Sequence, residues 1–212
     1  MKLRVLIPAR RFHDAKSRLS PLLSSEERAD LARDLLANLL TCVHEASPDA
    51  ERLVLTNDSE VMELAQEFGA AVRRDDPALV GHGPQLRAAI SEAPTDQGVI
   101  VLMADLPLFK ADDLVALFES GEDGSVVLAP DRQRMGTNAA FFPVPSLRRP
   151  HFGHADSFER HLAAFADTRP AIVERVGLSH DLDDENDLLA ILAQSPPTNS
   201  LSRSLRGFQA KR

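Results

Sequence analysis

Apolar positions along the chain fall into two kinds of run that alternate. Short, nearly continuous runs occupy residues 3 to 8 (LRVLIP), 52 to 56 (RLVLT), 70 to 74 (AAVRR), 98 to 104 (GVIVLMA), 125 to 130 (SVVLAP) and 171 to 176 (AIVERV), and read as strands. Between 26 and 46, Leu31, Leu35, Leu39 and Val43 recur at every fourth position, the spacing of a helix face; further helices are expected at 59 to 68, 84 to 93, 111 to 119, 157 to 166 and 184 to 194. Strands without a polar face need helices on both sides, so the alternation predicts an α/β domain with a mostly parallel sheet and the run 98 to 104 at its centre. Ser24 or Ser25 is expected to cap the first helix, and Asp58 or Ser59 the second, with Glu60 and Glu63 near the positive end of its dipole. From Ser195 the sequence SPPTNSLSRSLRGFQAKR has no apolar period, which divides the chain into a domain at 1 to 194 and a flexible tail at 195 to 212.

Composition narrows the partners. With 212 residues, 43% of them hydrophobic, there is material for one core. The 32 Asp+Glu exceed the 24 Lys+Arg, giving a net charge of -8, so no overall field draws the chain onto nucleic acid. No apolar stretch approaches the roughly 18 residues that cross a bilayer, and Met1-Lys2 lead straight into a strand-like run, so a cytoplasmic protein with no membrane partner is expected. Cys42 is the single cysteine, which excludes an internal disulfide and a cysteine-based zinc site and leaves a small core residue. His151, His154 and His161 lack a three-ligand zinc spacing and read as structural or substrate-facing. Oligomeric state is not legible.

Ligands of an open α/β sheet collect at the carboxyl ends of its strands, so the loops after the apolar runs carry the candidate chemistry. The first, ARRFHDAKSRLSP, sets Arg10, Arg11, Lys16 and Arg18 after the first strand, as a phosphate clamp or a solvated basic loop. In the second, GHGPQLRAAI, Gly81 and Gly83 permit close backbone approach, while Gln85 and Arg87 open a helix whose free N–H groups suit an anion or a base edge; a plain turn would look similar. The third is the sharpest: Asp105 follows the most apolar strand and is placed to hold Mg²⁺ against phosphate oxygens. Near the end, HDLDDENDLL puts Asp181 and Asp183 on one side of an extended segment, where they complete a magnesium site or remain solvated charge, while Asp184 and Glu185 suit a helix start. Residues 130 to 142, PDRQRMGTNAAFF, and 151 to 161, HFGHADSFERH, offer Gly136, Thr137, Asn138, Gly153 and Ser157 as small polar groups, for an anion or for ordinary turns.

Taken in order, IPARRFHDAKSRLSP, GHGPQLRAAI, LMADLPL, APDRQRMGTNAAFF, FGHADSFERH and HDLDDENDL resemble the CofC/FbiD family of small nucleotidyltransferases over roughly residues 3 to 194. The family attaches a guanylyl group to a phosphorylated three-carbon acid in coenzyme F420 biosynthesis. The resemblance implies a single-domain glycosyltransferase-A-like fold, GTP as donor, a small phosphorylated organic acid as acceptor, and Mg²⁺. Carried over by residue, it implies that Lys16 and Arg18 steady the donor phosphates and that Asp105, Asp181 and Asp183 serve the metal; Arg10, Gly83 and Gln85 of the first two loops are the candidate nucleotide contacts. Thr137, Gly153 and Ser157 resemble the residues that contact the acceptor.

Two departures stand out: the family's early Pro-x-Lys is Pro8-Ala9-Arg10 here, and FGHADSF has three residues between FG and SF where two are usual. Among the family acceptors 2-phospho-L-lactate, phosphoenolpyruvate and 3-phospho-D-glycerate, the polar capacity of His154 and Asp156 favours the hydroxylated 3-phospho-D-glycerate. The alternatives are transfer to another acceptor such as a molybdopterin cofactor, disfavoured because no LxGGxSxRMG pattern occurs, and a non-catalytic nucleotide-binding module. An acceptor phosphate is already ionised, so no strong general base and no covalent enzyme intermediate are expected.

Overall fold

A computed structural model describes residues 2–194. Its elements in chain order are β1 (Lys2–Pro8), α1 (Ser25–Ala46), β2 (Glu51–Leu55), α2 (Ser59–Glu67), β3 (Ala71–Arg73), α3 (His82–Ser91), β4 (Gln97–Leu102), α4 (Ala111–Glu119), β5 (Val127–Pro130), β6 (Thr137–Phe142), α5 (Ser157–Ala164), β7 (Ala171–Ile172), α6 (Val176–Ser179) and α7 (Glu185–Gln194). The strands form one sheet in the order β3-β2-β1-β4-β6-β5-β7. β1 pairs in parallel with β2 and β4, as do β2 with β3 and β5 with β7; β6 alone runs antiparallel to its neighbours β4 and β5. β4, from the most apolar run, lies at the centre.

Both faces of the sheet are buried, each under its own helices. On one, Val5 and Ile7 of β1, Ile100 and Leu102 of β4 and Phe141 of β6 pack against Leu36, Leu39 and Val43 of α1, Val61 of α2 and Leu117 of α4. On the other, Leu6, Val99, Val101 and Phe142 meet Leu86 and Ile90 of α3 and Phe158 of α5. At about 2 kcal/mol for each fully buried aliphatic side chain, these two layers dominate the stabilisation. A third cluster joins distant parts of the chain: Leu19 and Leu23 from the loop after β1, Leu31 and Leu35 of α1, and Leu182, Leu188 and Ile191 around α7. That cluster draws the basic loop and the late acidic segment to the same rim.

Local chemistry sets the helix starts. Ser24 Oγ accepts from the Glu27 N–H at 3.2 Å while the Glu27 carboxylate accepts from the Ser24 N–H at 2.8 Å, a reciprocal cap on α1. Asp58 caps α2 through the Val61 N–H. Cys42 is buried and directs its thiol to the Phe109 carbonyl. The structure shifts several boundaries by a few residues and changes three segments more deeply. Residues 137 to 142, expected as loop, form β6, because the small and aromatic side chains of TNAAFF fill a fully buried lane between β4 and β5. The expected strand at 171 to 176 stops at Ile172, and Val176 opens α6. The expected strand at 70 to 74 is confined to Ala71–Arg73. The tail expected from 195 onward lies outside the described residues.

Candidate active site

The loop after β1 leaves the sheet through two single 3-10 turns, Phe12–Asp14 and Ser17–Leu19, with Lys16 between them in a left-handed conformation, φ 53°. The anchors Phe12 and Leu19 are buried, and the turn aims Lys16 inward. Its Nζ lies 3.0 Å from Asp105 Oδ2 and 3.3 Å from Asp183 Oδ1. Arg18 stays exposed, with its guanidinium 3.8 Å from Asp183 Oδ2. The acidic segment is seated by backbone: the Leu182 N–H donates to the Asp105 carbonyl at 3.0 Å, and buried Leu182 leaves Asp181 and Asp183 on the rim. Asn138, at the start of β6, donates to the Leu178 carbonyl and to Asp181 Oδ1 at 3.3 Å. Asp184 caps α7 through the N–H groups of Asn186 and Asp187.

Charge is concentrated at this junction. Burial pushes the Lys16 ammonium down, but the carboxylates of Asp105 and Asp183 outweigh it and hold its pKa above the ordinary lysine value. Burial, and then the neighbouring Asp105 charge, push the Asp181 carboxyl up to about 6. Asp105 Oδ1 is buried without a hydrogen-bond partner among the described residues. No group of three or more His, Cys, Asp and Glu side chains converges as a ready metal site among the described residues. The junction opens into a cavity of about 400 Å³ whose lining includes Pro8, Arg10, Lys16, His82, Asp105 and Asp183. Arg10 is exposed and donates from Nε to His82 Nε2; burial, then the Arg10 charge, lower the His82 pKa. Beyond Arg10 a second hollow, about 600 Å³, lies at the ends of β2 and β3, with Thr56, Asn57, Asp58 and Asp75 in its wall.

Thr137 and Ser157 form a separate buried pair beside Asn138. Their hydroxyls lie 3.4 Å apart, and Thr137 Oγ1 is 3.0 Å from His161 Nδ1. Gly153 and Gly83 meet back to back: a Cβ on Gly83 would sit 2.2 Å from the Phe152 carbonyl oxygen, and one on Gly153 2.9 Å from the Gly83 backbone. This contact fixes the loop before α5 against the start of α3. Gln85 is buried, and its amide is occupied by the Asp76 N–H and the carbonyls of Asp76 and Leu79, so it braces the loop that leads into α3. His154 is exposed, and the Asp156 carboxylate is taken by Arg160 at 2.7 Å. The sequence therefore located the Lys16, Asp105 and Asp183 meeting point and the Thr137 and Ser157 pair. It did not single out His161 as the partner of that pair, nor Thr56, Asn57 and Asp75. For the last three a signal existed, since they end or follow apolar runs at strand ends.

The motif order agrees with comparison to known proteins. Residues 3–206 match the family model described as "Guanylyl transferase CofC like". The chain belongs to the CofC-like guanylyl transferase family. It is a guanylyltransferase with the α/β nucleotidyltransferase fold, its sheet mostly parallel. A phosphoenolpyruvate guanylyltransferase of Sphaerobacter thermophilus is 33% identical over 193 residues, covering 90% of this chain and 93% of that protein. One from Mycobacterium sp. (strain KMS) is 35% identical over 196 residues, covering 88% and 84%. Among solved structures, one from Desulfovibrio desulfuricans G20, named for nucleotide-diphospho-sugar transfer, aligns with TM-score 0.79 at 16% identity, covering 99% of this chain and 96% of that one. A nucleotidyl transferase from Methanothermobacter aligns at 0.63 and 16% identity, covering 91% and 97%. Among the described residues no helix is long and apolar enough to cross a membrane.

Proposed function

We propose that this guanylyltransferase transfers GMP from GTP to the phosphate of phosphoenolpyruvate, releasing diphosphate, as a step of coenzyme F420 biosynthesis. The observation that carries the reading is the meeting of Lys16 with Asp105 and Asp183 at the mouth of a cavity floored by the loop after β1. A fixed cation beside an acidic, cation-seeking rim supports a site for two phosphate-bearing reactants. The choice of acceptor is supported by the relatives, which carry the name phosphoenolpyruvate guanylyltransferase. The polar groups that had favoured 3-phospho-D-glycerate do not support it: His154 faces solvent and Asp156 is paired with Arg160.

A phosphate oxygen of the acceptor attacks the α-phosphorus of GTP, the bond from that phosphorus to the β-bridging oxygen breaks, and a mixed phosphoanhydride forms. Lys16 and Arg18 reduce the repulsion between the reactants and stabilise charge on the departing diphosphate. The all-oxygen donor set and the orphaned Asp105 Oδ1 suit a hard divalent cation, which commonly takes one or two carboxylates and completes its shell with phosphates and water. Asp105, with Asp181 and Asp183, would hold Mg²⁺. When bound, Mg²⁺ neutralises and orients the phosphate oxygens. The hollow at the ends of β2 and β3, where Asp58 is taken by Arg11 and the Val61 N–H and Asp75 also lines the wall, suits a base that presents an imino N–H beside an amino group, as guanine does. Thr137 and Gly153 face the acceptor's carboxylate, and Ser157 supports Thr137 through its hydroxyl.

Separate incubation with GTP, Mg²⁺ and each of phosphoenolpyruvate, 3-phospho-D-glycerate and 2-phospho-L-lactate, with product mass measured, tests the acceptor. Phosphoenolpyruvate is expected to give the guanylylated product fastest; exclusive use of either other acid would overturn that choice.

A further inference from the structure

His161 is a buried group that the chemistry above leaves without a role. It lies on α5 one turn after Ser157 and is wholly enclosed. Both ring nitrogens are engaged. The His151 backbone N–H donates to Nε2 at 2.8 Å. An amide N–H can only donate, so Nε2 carries no hydrogen and the neutral ring holds its proton on Nδ1. Nδ1–H therefore donates to Thr137 Oγ1 at 3.0 Å. The Ser157 hydroxyl donates to the same oxygen at 3.4 Å. A hydroxyl has two lone pairs and one hydrogen; with both lone pairs filled, Thr137 can act outward only as a donor. The rings of Phe152 and His151 pack edge-on against the imidazole, with centroids at 4.8 and 5.7 Å, and hold its plane. Burial, seconded by His151, keeps the ring neutral, with its pKa lowered to about 4 against an opposing pull from the Ser157 backbone.

We propose that His161 is a positioning residue that locks the Thr137 hydroxyl as a hydrogen-bond donor to the acceptor's carboxylate, and so sets acceptor affinity without touching either substrate. The inference rests on the reading that Thr137 contacts the acceptor. A carboxylate offers only lone pairs, so a donor already aimed outward forms a charge-assisted bond without reorienting. The reversed tautomer would draw the Thr137 hydrogen to the ring and turn oxygen lone pairs toward the carboxylate. The directed chain, His151 N–H to His161 to Thr137, excludes that state.

The test measures KM for phosphoenolpyruvate and for GTP on the full chain with Mg²⁺. The variants are His161→Phe, His161→Asn, whose amide nitrogen falls near the Nδ1 position, His161→Gln, whose amide falls nearer Nε2, Thr137→Val and the Thr137→Val/His161→Phe double. Loss of one charge-assisted bond predicts an acceptor KM raised about tenfold in His161→Phe and His161→Gln, with the GTP KM unchanged and most of the loss recovered in His161→Asn. In the Thr137→Val background, His161→Phe should add nothing. The positioning role is overturned, with the acceptor site intact, if Thr137→Val raises the acceptor KM while a folded His161→Phe does not, or if the two penalties add. Should His161→Phe not fold, equal acceptor KM values for the Asn and Gln variants overturn it instead. An active enzyme in which Thr137→Val leaves the acceptor KM unchanged refutes the acceptor placement itself, as does a wild-type chain that turns over none of the acids.

Discussion

Two side chains carry opposite electrostatic burdens, and each makes its own pH prediction. His161 is held neutral, with a folded pKa near 4 against an ordinary value of 6.5. Between those values the unfolded chain binds the proton and the folded one resists it, so the stabilisation is whole above pH 6.5 and lost as pH falls toward 4. The loss reaches about 2 kcal/mol by pH 4.5. Urea unfolding of wild type and His161→Phe at pH 7 and 4.5 should show the wild type losing that much more, and equal losses would contradict the buried neutral ring. Asp181 runs the other way, its carboxyl pushed up to about 6 by burial and by Asp105. Below pH 6 its proton competes with a divalent ion, so the Mg²⁺ concentration for half-maximal turnover should rise about tenfold per pH unit there. Asp181→Asn should flatten that slope; an unchanged slope would remove Asp181 from the metal's partners.

At the scale of elements, the meeting of α3 with the loop before α5 depends on two glycines packed back to back. Gly83→Ala puts a Cβ 2.2 Å from the Phe152 carbonyl, a backbone atom that cannot swing aside. The loop must move, and thermal unfolding should show a loss of about 2 kcal/mol together with a raised acceptor KM. A variant with unchanged stability and KM would mean that the contact is slack. Gly83 was legible as a site of close approach, but its counterpart was not, because the facing Gly153 is 70 positions away in the sequence. The same limit explains His161: a histidine one turn after a serine gives no sign that its other neighbour is Thr137 on a strand. β6 was missed because TNAAFF follows a glycine-containing turn and lacks β-branched residues beyond its first position, so it reads as the end of a ligand loop. The parallel strands β1, β2 and β4 were legible because each is a compact apolar run followed by polar residues.

For the whole molecule, the fold's contribution is to bring three sequence-distant loops to one edge of the sheet. The leucine cluster of Leu19, Leu35, Leu182 and Leu188 does this mechanically, and the Leu182 N–H bond to the Asp105 carbonyl sets the register. The spacing of Asp181 and Asp183 around Leu182 was readable, as two acids flanking an apolar residue in an extended segment. Their approach to Asp105 depends on long-range packing, for which local periodicity has no signal. Diphosphate release from GTP and phosphoenolpyruvate, measured with and without Mg²⁺ for wild type and Asp105→Asn, tests the account most directly. Magnesium-dependent release by the wild type, reduced about 100-fold in a folded Asp105→Asn, is the predicted result; equal magnesium-dependent release by both proteins would contradict it.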